Sequence, residues 1–154
     1  MPSVNYKKRF VPDVESGIKK QTIRKKRKNP IKPGDKLYFF TGLRTKHCRR
    51  LETKYDMIPV FRTFFDGQVP SPKQRKKLIP FVRCKSVDEL IIYGNYEITL
   101  NRNYMKLYEI EELAKADGFN DSASFFKFFI DEYKIGKKIK GKLKTSEIFH
   151  LIKW

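Results

Sequence analysis

The chain has 154 residues, enough for one domain with a modest core. Its 40% apolar and 14% aromatic residues exclude a disordered tail, although 34% of positions are charged. Lysine and arginine number 35 against 17 acids, a net charge of +18 whose self-repulsion points to a polyanionic partner.

In chain order, residues 4–10 are predicted to form a first strand and 12–16 a short helix with Pro12 near its start. Gly17 suits the helix end, because glycine takes the left-handed conformation at no steric cost. Lys19, Gln21 and Ile23 then alternate with Lys20, Thr22 and Arg24, which on an extended segment puts the second set on one face. Pro33-Gly34-Asp35 is a turn, and 36–41 is an aromatic-rich strand. Gly42 permits a bend, after which 44–53 is predicted to return as a strand carrying Arg44, Lys46, Arg49 and Arg50. The prolines at 59, 70, 72 and 80 predict that 55–80 is an excursion with a basic end at 73–77, whose Phe61, Phe64 and Phe65 are expected to anchor it to the core, with stacking on bases at the surface as the alternative.

Residues 81–93 are predicted as a strand kinked at 86–89, followed by a Gly94-Asn95 turn, a strand over 96–100 and a turn at 101–103. Helical spacing puts Ile110, Leu113, Ala114 and Asp117 on one face of a helix over 109–117, which Gly118 stops. Asp121 or Ser122 caps a second helix, whose Phe125, Phe126, Phe129 and Tyr133 form a core-facing stripe. A basic loop over 134–144 leads to a last strand over 146–154. These elements predict an α+β single domain, mostly strand, with two or three helices.

Charge is clustered. Residues 19–32 hold eight basic side chains and no acid, and 134–144 hold six and no acid. Such clusters in a folded context favour a nucleic-acid surface, with Lys20, Arg24, Lys25, Lys26, Arg27 and Lys28 beside Arg44, Lys46, Arg49 and Arg50 as backbone-contacting candidates. Cys48, Cys84, His47 and His150 lack the spacing of a zinc site, so no metal and no cofactor are expected. No apolar run is long enough to span a bilayer, and residues 1–8 lack the apolar core of a signal peptide; no membrane contact and a cytoplasmic address are expected. Asp117 is a carboxylate on an apolar face, at the negative end of a helix, and needs a cation.

The run Gly17-x-Lys19-x-x-Thr22-Ile23-Arg24, followed by Lys32-Pro33-Gly34-Asp35, resembles the ASCH domain family, a branch of the PUA-like β-barrels. The segment Thr41-Gly42-Leu43-Arg44-Thr45-Lys46-His47-Cys48-Arg49, the segment Leu113-Ala114-Lys115-Ala116-Asp117-Gly118-Phe119 and a terminal strand ending at Trp154 are similar to the longer bacterial and phage form, in the same order. The resemblance implies a small β-barrel over 1–154, with 55–80 as a basic insertion. It implies RNA binding, with a base or modified nucleoside received in a pocket. It also offers an enzyme: family amidohydrolases remove the acetyl group of N4-acetylcytidine with a Lys, a Thr three residues later and a Glu at a helix end. Lys19 and Thr22 match the first two, and Asp117, one methylene shorter, occupies the carboxylate position. A metal-independent ribonuclease and a protein-interaction module are further alternatives.

Overall fold

Leu37 and Phe39 are fully buried, whereas Tyr38 and Phe40 between and after them are half-buried. This period-two pattern builds the first of two principal sheets. The computed structural model describes residues 2–53 and 81–154; the excursion expected over 55–80, with its aromatic anchors and basic end, lies outside the described residues. The structure is α+β, with eleven strands and three α-helices among the described residues. The chain divides into two units: one holds Met1–Ile18, Pro33–Cys84 and Trp154, the other Lys19–Lys32 and Lys85–Lys153.

In the first unit, β1 (Ser3–Tyr6) runs parallel to β3 (Lys36–Thr41), which pairs antiparallel with β4 (Arg49–Leu51) and β5 (Val82–Arg83). Its core gathers Val4, Tyr6, Val14, Leu37, Phe39, Leu51 and Trp154. The Phe39 ring lies 5.5 Å from Tyr6 and 4.7 Å from Trp154. The strand expected over 4–10 ends at Tyr6: Lys8–Phe10 form a 3-10 turn that runs into α1 (Val11–Glu15), with Pro12 in its first turn. The strand expected over 44–53 shrinks to three residues. Gly42 takes a φ of +64°, and Thr45 Oγ1 donates to the Gly42 carbonyl and accepts from the His47 N–H, so 42–47 is spent in turns that hold Arg44 and Lys46.

In the second unit, β2 (Gln21–Lys25), β11 (Ser146–Lys153), β6 (Ser86–Tyr93), β7 (Ile98–Leu100) and β8 (Asn103–Tyr104) form an antiparallel sheet in that spatial order. The kink expected at 86–89 is instead a change of sheet at 84–85. The Cys84 N–H bonds the Asp35 carbonyl, whereas the Lys85 N–H bonds the Lys153 carbonyl. Helix α2 (Leu107–Ala116) starts two residues earlier than expected and ends one earlier, with Asp117 as its C-cap; Gly118 at φ +91° lets the Phe119 and Gly118 N–H groups reach the Ala114 and Lys115 carbonyls. Helix α3 (Ser122–Tyr133) is capped by the Asp121 carboxylate on the Ser124 N–H, and its Phe129 and Tyr133 rings pack on Phe149 of β11. The basic loop expected over 134–144 contains a hairpin, β9 (Lys138–Ile139) with β10 (Lys142–Leu143), turned by Lys140 and Gly141, both at positive φ. Among the described residues no helix is long and apolar enough to cross a membrane.

Candidate functional site

β2 is an edge strand of its sheet. Its free edge presents backbone donors that need partners, and the Ile23 N–H donates to the carboxylate of Asp117, the C-cap residue of α2. Just before the strand, Lys19 sends its ammonium to the same residue. Lys19 Nζ donates to Asp117 Oδ1 at 2.7 Å and also to the Asp117 backbone carbonyl. One cation therefore meets both the carboxylate and the negative end of the helix. Gln21, next along the same face, donates through Nε2 to the Leu113 carbonyl of α2.

On the other face of β2, Arg24 Nε donates to Thr22 Oγ1 at 3.1 Å. The alternation expected from the sequence thus holds for Thr22 and Arg24, while Lys20 is exposed. The charge of Arg24 acts on Asp117 as well, which draws both faces of the strand into one cluster. Burial pushes the Asp117 carboxyl above its ordinary range, and Lys19, Arg24 and the Ile23 N–H pull it back. The cluster is dry: Lys19 is 2% exposed, Thr22 3% and Asp117 4%. Four of the six buried polar or charged side chains among the described residues are Lys19, Gln21, Thr22 and Asp117. Polar groups are kept in a core only when satisfied, and so close a grouping marks a built feature rather than scattered tolerance.

Of the three residues expected to carry chemistry, Lys19 and Asp117 meet directly in the second unit, whereas Thr22 lies on the other face of β2, bonded to Arg24. Downstream of them, Lys25, Lys26, Arg27 and Lys28 are exposed. Lys25 pairs with Glu147 at 3.2 Å and Lys26 with Glu89 at 3.9 Å, both open to solvent on the lysine side. Arg44, Lys46, Arg49 and Arg50 are exposed but belong to the first unit, where Arg49 is tied to Glu15. Sequence reasoning missed Gln21 and Tyr133. Burial raises the Tyr133 phenol, and the nearby Arg24 opposes that rise, so this ring borders the cluster although its place in the apolar stripe marked it only as core. A hydroxyl at the end of an all-Phe stripe was the available signal.

Among the described residues no group of His, Cys, Asp and Glu is arranged to hold a metal ion. Cys48 is exposed and Cys84 is buried. No family model matches the chain, and no curated protein and no solved structure matches it.

Proposed function

We propose that the chain is an ASCH-type, PUA-like barrel domain that binds RNA or another nucleic acid and receives a base or modified nucleoside beside residues 19–24. The observation that carries the reading is the buried Lys19–Asp117 pair and the Thr22–Arg24 hydrogen bond on the other face of β2, at the start of a run of exposed cations, Lys25 to Lys28. Ordered hydrogen-bonding groups suit recognition of a base edge, and the flanking cations suit phosphates. The test is titration of nuclease-treated protein with a labelled single-stranded RNA across a salt series. Each phosphate neutralised adds about 0.7 to the slope of log affinity against log salt. A slope of about 3 or more is expected, and one near zero rejects the reading.

A second reading is hydrolysis of N4-acetylcytidine or a related acylated nucleoside, favoured by the direct pairing of Lys19 with Asp117 beside β2, the strand that carries Thr22. Thr22 Oγ1 would attack the acetyl carbonyl, its hydroxyl proton would pass to the cytidine nitrogen as the C–N bond breaks, and water would then cleave the acetyl-threonine ester, returning a proton to Thr22 and releasing acetate. Lys19 stabilises the developing negative charge, and Asp117 holds Lys19 in place. Thr22→Ala is expected to abolish turnover, read by chromatography of the nucleoside, while the protein still folds, read by circular dichroism. Equal turnover in wild type and variant removes Thr22 from the chemistry.

A further inference from the structure

The hairpin joining β6 to β7 keeps a bulky residue where one seldom sits. Tyr96 takes a φ of +65°, is 63% exposed, and is steadied by an edge-on contact with Phe126 at 5.5 Å. An aromatic side chain in the left-handed region is strained, and such strain persists where the surroundings over-determine it, often at functional surfaces. The same loop lines a cavity of about 380 Å³, walled by Tyr93, Gly94, Asn95, Gly136, Leu143 and Thr145. None of these belongs to the Lys19 cluster. At its base two backbones meet: a Cβ on Gly94 would stand 3.0 Å from the Gly136 Cα.

Around this cavity lie apolar faces left in water. Tyr104 is 67% exposed, its ring 6.2 Å from that of Tyr93, and Leu143 is 57% exposed. Leu143 is on β10, and the same hairpin lifts Lys138, Lys140 and Lys142 into solvent. Residues 134–144 contain no acid. Of the carboxylates on adjoining elements, Glu147 is held by Lys144 and Lys25, Asp131 by Lys137, and Glu97 by the Asn95 amide, while Glu132 of α3 is exposed. A cavity with Tyr93 in its wall, the exposed Tyr104 ring next to that residue and exposed lysines on the β9–β10 hairpin together fit one occupant. Protein interfaces deplete lysine at their centres, and a duplex hides its base faces, whereas a single strand offers bases to stack and phosphates to neutralise.

We infer that Tyr93, Tyr104 and the cavity beside them form a stacking platform for single-stranded nucleic acid, whose phosphates are met by Lys138, Lys140 and Lys142. This deepens the nucleic-acid reading above and rests on it. The platform takes the bases in a sequence-tolerant way, because every base has a face to stack.

The experiment is fluorescence anisotropy of the full chain with 15-residue oligo-U and oligo-dT strands and a mixed-sequence duplex of equal length. Tyr104→Ala is expected to weaken single-strand binding about 5- to 100-fold and Tyr104→Trp to preserve it. Lys138→Gln, Lys140→Gln and Lys142→Gln together are expected to lower the salt slope by about 2. The comparison variant carries Lys25→Gln, Lys26→Gln and Arg27→Gln. If that variant weakens binding while the Tyr104 and hairpin variants match wild type, the platform is overturned and the nucleic-acid reading survives. If wild type binds neither strand, both fall. Equal affinity for the duplex also overturns the platform.

Discussion

Lys19 directs one ammonium at two oxygens of a residue 98 positions away, and both partners are out of water. Removing one partner of such a pair strands a charge in a dry site, whereas removing both strands none. Lys19→Met is therefore expected to cost about 3–5 kcal/mol of unfolding free energy, and Asp117→Leu a similar amount. The double variant should recover most of that loss, measured by urea denaturation. Additive losses would mean that the two side chains are not energetically coupled. The sequence exposes Asp117 through its place on an apolar helix face. It exposes Lys19 only through the spacing of the Gly-x-Lys-x-x-Thr-Ile-Arg run, because pairing across so many residues leaves no local pattern. Gln21 leaves even less trace: its partner is a backbone carbonyl of α2, and carbonyls are the same at every position.

Elements whose ends are set by local chemistry were readable, and those set by distant partners were not. Helix α2 stops where Gly118 supplies a left-handed residue, and α3 starts where the Asp121 carboxylate meets an orphan N–H. Gly118→Ala should accordingly cost about 1–2 kcal/mol in chemical denaturation. An unchanged midpoint would mean that the turn relaxes into another conformation. Residues 44–53 alternate cations in a way that reads as strand, but Gly42 and the Thr45 hydroxyl fold 42–47 into turns and leave strand only at Arg49–Leu51; a Cβ on Gly42 would come within 2.9 Å of the His47 carbonyl. The break at 84–85 follows from a switch of hydrogen-bond partner, which composition does not encode. The β9–β10 hairpin hides because lysine, not asparagine or aspartate, precedes the turn glycine.

At the scale of the whole chain, the +18 charge and its two acid-free clusters were legible as numbers, and the expectation of an α+β fold follows the element order. The division into two units was not, because the chain passes from one to the other after Ile18, Lys32, Cys84 and Lys153. Trp154 is 2% exposed and packs with Tyr6 and Phe39 of the first unit. Trp154→Ala is expected to destabilise the protein by about 3–5 kcal/mol, read from the shift of the urea midpoint; a loss under about 1 kcal/mol would show that the indole is dispensable to this core. The same residue sets a timetable for biosynthesis. A ribosome adds about 5–20 residues per second and early segments ordinarily settle as they emerge. Here the opening strands must wait for the codon of Trp154, so the nascent chain carries an unfinished apolar surface until that residue is made. Final assembly of that core belongs to the moments after Trp154 clears the exit tunnel.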